Sequence, residues 1–411
     1  MLKMVDGTGI IGVDMVCPLG GAVSPPQPPN YDKVEVDGAG SLVLPNSLKA
    51  PLERVELLGT SVQGENPAPD NLQEIKSAGR YDESSGKYLI DVKVTGRNIF
   101  DINNYVGSIN KISESEFHTE AKWGTVIGDI NLKAGGKYSI SYTFEIDSIT
   151  NSDCGVRIKC TKSNGTVSYI FGLPKMIGYV CDYTKSAIVP VDTVKCEILL
   201  HTDVKLKIGG TFKKLMIAEE SENVALNIYQ PYTEQSVQIA LDEPLRGIGE
   251  YKDTITKDGV VRKIKRIMFD ENTPFKEYNA PVQVKTTSFI SGTTIKDATG
   301  ETGIEVMSDR FKAKDRGFDR YDEECITLFG RSIFVRFNKD KNINTEEALT
   351  EWLKQNPLTV DYVLAEPITE PLPESVQAQL QALHSYNGTT HINIDSGEVE
   401  CGIKLTYRKE I

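Results

Sequence analysis

The chain predicts an all-β fold of tandem antiparallel β-sandwich domains, with short helices near the C-terminus. Three observations carry that prediction: apolar and polar residues alternate in short runs, turn residues bound the runs, and few stretches keep a helical period. Runs at 87–95, 137–145, 194–200, 236–241, 332–337 and 389–394 place side chains two apart on one face of a strand. Most of them then have one apolar and one wetter face. Lys133-Ala-Gly-Gly-Lys137 and Lys162-Ser-Asn-Gly165 supply turn chemistry between runs.

Two stretches break the pattern. Asn344-Thr-Glu-Glu-Ala-Leu-Thr-Glu-Trp-Leu-Lys-Gln-Asn356 starts on a capping residue, has acids in its first turn and is stopped by Pro357. This predicts a helix over 345–355, with Ala348, Leu349, Trp352 and Leu353 against a sheet edge. A second amphipathic helix is expected over 373–384, with Val376, Leu380 and Leu383 on one side. An isolated helix this short is marginal in water, so it packs on the neighbouring sheet or on its own copies about a symmetry axis.

Length and composition bound the rest. A chain of 411 residues is too long for one ordinary core. Its 58 acids against 46 bases leave a net charge of −12, which disfavours nucleic acid and anionic membranes. No apolar stretch approaches the roughly 18 residues of a membrane-spanning helix. Asp6 and Asp14 interrupt the N-terminal apolar run, so no export signal is expected. The seven cysteines show no metal-binding spacing and read as buried, reduced thiols, pointing to synthesis in a reducing cytoplasm.

Composition places the boundaries. An N-terminal attachment segment with a Pro-rich linker covers 1–40, and a hairpin and linker region 41–86. A first sandwich covers 87–235, and a second β-rich domain 236–370. A C-terminal helix and β module takes up 371–411. A faint echo runs through the chain: Gly79-Arg-Tyr81 precedes Phe100-Asp101 much as Gly249-Glu-Tyr251 precedes Phe269-Asp270. Gly86 and Gly259 lie centrally between, which suggests a hairpin followed by a sandwich, twice.

Catalytic chemistry is thin. The four histidines have no zinc-ligand spacing, and His391, alternating with Ile392, reads as solvent-facing or stacked. No nucleophile elbow, phosphate loop or dinucleotide fingerprint occurs. The acids Asp315, Asp319, Asp322, Glu323 and Glu324 alternate with Arg316 and Arg320, as in a solvated, self-neutralised loop. No enzyme activity, metal or cofactor is expected. A sugar site needs flat apolar faces beside polar groups. Trp123, Tyr169 and Tyr179 are the candidate carbohydrate-binding residues, while Tyr138 and Tyr142 share a face with Ile140 and Phe144 and read as core.

Several phrases carry a family resemblance. They are Ala50-Pro-Leu-Glu-Arg-Val-Glu-Leu-Leu-Gly59, Asn71-Leu-Gln-Glu-Ile-Lys-Ser-Ala-Gly79, Val94-Thr-Gly-Arg-Asn-Ile-Phe-Asp101, Tyr229-Gln-Pro-Tyr-Thr-Glu234 and Leu245-Arg-Gly-Ile-Gly-Glu-Tyr-Lys-Asp253, and later Trp352-Leu-Lys-Gln-Asn-Pro-Leu-Thr-Val-Asp-Tyr-Val-Leu-Ala-Glu-Pro367 and Tyr386-Asn-Gly-Thr-Thr-His-Ile392. Over about residues 41–400 the chain resembles minor structural, tail-fibre or baseplate (receptor-binding) proteins of phages and prophages of Gram-positive bacteria, of clostridial type.

The resemblance implies sandwiches of jelly-roll, carbohydrate-binding-module-like type, opened by the Asn98 phrase and closed by the Tyr229 phrase. The second unit has Ile267-Met-Phe-Asp270 and lacks that asparagine. It also implies a homo-oligomer, with a trimer favoured, and partners among other tail or baseplate proteins and a host glycan or surface protein. The implied location is the virion tail, reached by assembly in the bacterial cytoplasm and release by lysis. A free-standing glycan-binding adhesin and the accessory domains of a cell-wall hydrolase are the alternatives.

Overall fold

The computed structural model describes residues 4–6, 9–11, 31–105, 107–120, 124–150, 153–201, 209–220, 228–278, 286–292, 294–299, 306–314 and 323–410. Strands dominate them, and the two α-helices, Glu346–Gln355 (α1) and Glu374–Ala382 (α2), lie near the C-terminal end. The fold is all-β, as the alternation requires.

Its domains are inserted into one another. One long antiparallel sheet runs Glu234–Leu241, Lys87–Thr95, Gly388–Asp395, Ser41–Ser47, Gly402–Glu410, Arg54–Leu58, Thr254–Thr256, Gly259–Phe269, Leu358–Glu370, Val306–Ser308. Tyr31–Ala39 also pairs with Gly402–Glu410, and Arg80–Asp82 with Lys87–Thr95. Buried side chains such as Leu57, Ile90, Val92, Ile239, Ile392 and Leu405 join in one core beneath it, each contributing about 1.5–3 kcal/mol by leaving water. Lys87–Thr95, expected to open the first sandwich, belongs to this sheet. So do the strands of 371–411, which were expected to form a module of their own. Alternation shows that a strand is half-buried but does not name its neighbour.

Two modules leave and rejoin this sheet. The first departs after Thr95 and returns at Glu234, which are paired residues. The second departs after Phe269 and returns at its partner Leu358. In both, a hairpin feeds the long outgoing strand: Arg80–Asp82 before Lys87–Thr95, and Thr254–Thr256 before Gly259–Phe269. In both, the exit is a buried phenylalanine, Phe100 or Phe269, then an aspartate whose carboxylate accepts an N–H two residues on. The internal echo is thus a repeated topology.

The first module is a two-layer sandwich. One sheet runs Asn110–Ser113, Glu116–Thr119, Gly210–Glu219, Lys137–Thr150, Gly178–Ile188, and the other Thr125–Asp129, Thr193–His201, Gly155–Lys162, Val167–Ile170. Taken in chain order from Glu116–Thr119, the first, eighth, third and sixth strands share one sheet, and the second, seventh, fourth and fifth the other. That order is a jelly roll. Tyr138, Ile140, Tyr142, Phe144 and Ile146 all point inward from one strand. Phe212 stacks between Phe117 and Phe144, with ring centroids 5.2 and 4.3 Å away.

The second module is one four-stranded sheet, Phe275–Tyr278, Thr286–Ser291, Ser332–Asn338, Cys325–Phe329, backed by α1. Phe289, Val335 and Phe337 meet Leu349 and Leu353 of α1, and the core continues into Val360 and Tyr362 of the central sheet. Thr345, one residue past Asn344, is the N-cap; its hydroxyl accepts from Ala348 N at 3.2 Å. Helix α2 lies on the central sheet, burying Leu380 with the following Leu383. The lid reading holds for this helix.

A buried ionic cluster, invisible in the sequence, joins the links around the second hairpin. Asp253 is fully buried. Its Oδ1 accepts from the backbone of Lys263 and Ile264 at 2.7 and 3.0 Å, and its Oδ2 from Arg246 N at 3.0 Å and Arg262 Nη1 at 3.3 Å. Arg262 also donates to the carbonyls of Pro244 and Glu243 at 2.7 and 3.0 Å and to Glu370 at 3.1 Å. Asp361, likewise buried, takes a two-pronged contact from Arg266 at 2.7 and 2.9 Å.

Candidate functional site

The jelly roll has two unlike ends, because its eight strands put alternate connections at opposite ends. At the attached end, Gly135 N donates to Val189 O at 2.9 Å, Ser163 N to Asp192 O at 3.0 Å and Glu220 N to Lys137 O at 2.9 Å. At the other end, Cys154 N donates to Pro174 O and Asp147 N to Gly209 O, each at 3.1 Å, and Gly124 lies beside the His201 ring. Glu120, Gly124, Asp153, Cys154, His201 and Gly209 and the link 171–177 therefore gather there. The 14-residue strand Lys137–Thr150 sets the separation of the two ends, about 40 Å at the usual rise per residue.

At the attached end, Asn98 is the joint. It is almost fully buried. Its Nδ2 donates to Leu215 O at 3.3 Å and Gln230 O at 3.1 Å, and its Oδ1 accepts from Phe100 N at 3.0 Å and Ile217 N at 3.2 Å. One amide thus ties the outgoing chain, the last sandwich strand and the returning segment together.

His391, expected to face solvent or stack on a neighbour, is only 9% exposed. The reason is the sandwich: Glu219 at the end of its last strand lies over that face, 3.9 Å from His391 Nδ1. Burial pushes the His391 pKa down to about 4 and raises that of Glu219. A histidine held neutral in the fold but free to charge when unfolded stabilises most above its unfolded pKa of about 6.5, and that stability is lost as pH falls towards 4. Glu219 acts with the opposite sign. His201, also pushed down to about 4 by burial, adds to the loss. The His391 share is about 2 kcal/mol between pH 7 and pH 5. Urea midpoints should fall over that range, with a shallower slope in His391→Leu.

The outer end carries the predicted aromatic residues. Tyr179 is 55% exposed on Gly178–Ile188, the edge strand of one sheet, and Tyr169 is 48% exposed on Val167–Ile170, the edge strand of the other. The link 171–177 joins these strands, so both tyrosines flank one edge of the sandwich. Trp123 lies outside the described residues. The Arg157 guanidinium sits 4.5 Å from the Tyr169 ring centroid, a cation–π contact that orients the ring. Ile177, 83% exposed, and Val180 extend the apolar surface. Sequence reasoning missed both, although Ile177-Gly-Tyr-Val180 breaks strict alternation and so signals apolar residues on both sides of an edge. Tyr138 and Tyr142 are buried core residues.

Other sequence candidates do not converge. Asp315, Asp319 and Asp322 lie outside the described residues. Glu323 pairs with Lys314 at 2.8 Å, and Glu324, its pKa raised by burial, accepts from Asn338 N at 3.2 Å. Among the described residues no three metal-ligating side chains gather, and no helix is long and apolar enough to cross a membrane. Of the described cysteines, Cys154, Cys160, Cys196, Cys325 and Cys401 are buried thiols and Cys181 is partly exposed.

Fold and surface together define an all-β protein that carries an inserted jelly roll with an aromatic, apolar outer edge. No family model and no curated protein matches the chain. Among solved structures it is similar to the triple jelly-roll turret protein of an archaeal virus, with 10% identity, 92% of this chain and 89% of that one covered, and a TM-score of 0.17. A second is the protein of infectious bursal virus-derived T=1 particles, with 7% identity, 93% and 79% covered, and a TM-score of 0.14. At such scores no residue role passes from them to this chain.

Proposed function

We propose that the chain is a structural component of a phage tail tip, baseplate or tail fibre that presents the outer end of its jelly roll to the host surface. The observation that carries this reading is the one-ended attachment of the sandwich: both of its chain connections lie at the central sheet, which leaves Tyr169, Ile177 and Tyr179 at the solvent end. An aromatic edge beside Arg157 and Lys159 suits the ring faces and hydroxyls of a cell-wall glycan. The tail-protein phrases at 50–59, 94–101 and 229–234 support the same class, and a trimer is the assembly it favours.

The test is light scattering of the purified chain combined with sedimentation alongside host cell walls. A stable trimer that pellets with walls is expected, with Tyr179→Ala and Trp123→Ala each weakening binding about fivefold or more. A monomer with no wall binding overturns the receptor-binding reading and leaves an adaptor role.

A further inference from the structure

The core of the jelly roll holds two cysteines on adjacent strands. Cys160 of Gly155–Lys162 and Cys196 of Thr193–His201 are directly opposed in the antiparallel ladder. Their sulfurs lie 3.9 Å apart, and both residues are buried. Opposed residues in such a ladder have Cα atoms about 4.5–5.5 Å apart, inside the range of about 4.4–6.8 Å that a disulfide spans. The side chains already share one face of the sheet, so a bond needs a turn of the two thiol groups and no change of strand register. The two thiols are hydrogen-bonded to each other, the Cys196 S–H pointing at the Cys160 sulfur.

We propose that Cys160 and Cys196 are an oxidation site that closes to a cross-strand disulfide when the protein meets a peroxide oxidant. Peroxide is small enough to reach a buried pair through local opening of the sheet edge at Val167–Ile170. The thiolate of one of the two cysteines attacks one peroxide oxygen, the O–O bond breaks, and a sulfenic acid and hydroxide result. The other cysteine loses its proton to that hydroxide, giving water, and its sulfur attacks the sulfenic sulfur. The S–S bond forms as the second hydroxide leaves and takes a proton from solvent. Two thiols and one peroxide give one disulfide and two waters. The bond ties the fourth and seventh strands of the roll, closing a loop between positions 36 apart, and stabilises the module by restricting its unfolded chain.

The experiment treats the full chain with hydrogen peroxide, blocks remaining thiols with iodoacetamide and maps peptides by mass spectrometry. The expected result is a Cys160–Cys196 linked peptide, lighter by two hydrogens and released by dithiothreitol, with a melting temperature raised by about 5 °C or more. Cys160→Val should abolish the link and the shift. Two results overturn the proposal: both cysteines alkylated after treatment, or either one recovered as sulfinic acid with no link. The wild-type mapping stands by itself even if the variant folds poorly.

Discussion

Asp253→Asn is expected to destabilise the central sheet by about 3–5 kcal/mol, the cost of breaking a buried charge pair on one side. The carboxylate has four donors and no solvent. An amide in its place turns one acceptor into a donor aimed at N–H groups and leaves the buried Arg262 guanidinium with the half-exposed Glu370 as its remaining carboxylate partner. Urea denaturation measures the effect as a lower midpoint. Adding Arg262→Met should recover part of the loss, because it removes a buried charge that Glu370 balances only from the half-exposed side. A single change costing less than about 1 kcal/mol would show that the cluster is held mainly by backbone hydrogen bonds.

Asn98→Ala should cost about 2–4 kcal/mol, since two donors and two acceptors on three segments lose their partner in a buried setting. Its signature should be local. The sandwich is fastened through this residue, so amide exchange is expected to rise in 99–105 and 210–219 while Ile90 and Val92 of the central sheet stay protected. Asp101→Ala is the control, because that carboxylate caps an exposed turn and its loss should cost about 1 kcal/mol or less. Equal exchange across both cores in Asn98→Ala would mean that sheet and sandwich unfold as one unit.

What could be read in the sequence was local. The alternation of Tyr138, Ile140, Tyr142 and Phe144 identifies both a strand and its inward face, and the acids before Leu349 and Leu353 place α1 almost to the residue. The phrase around Asn98 was legible as a signature. Its role was not, because Leu215 and Gln230, its carbonyl partners, lie more than a hundred residues away. Asp253, within Tyr251-Lys-Asp-Thr254, looks like any polar turn residue until Arg262 and Arg246 fold onto it. His391 was misread for a related reason: the side chain that buries it comes from another module. At the candidate surface, the sequence offered Tyr169 and Tyr179 as candidates, whereas the Arg157 contact needed the pairing of two strands.

The shared departure and return points of each inserted module have a further consequence. Thr95 and Glu234 are paired neighbours, about 5 Å apart as in any antiparallel ladder, a gap that a two-residue hairpin turn bridges. The segment between them is laid out like a cassette: a short turn in its place would join Thr95 to Glu234 in the register they already hold. Exchange of that cassette for another would change the inserted module while keeping the sheet that carries it, so the two parts are free to diverge at separate rates.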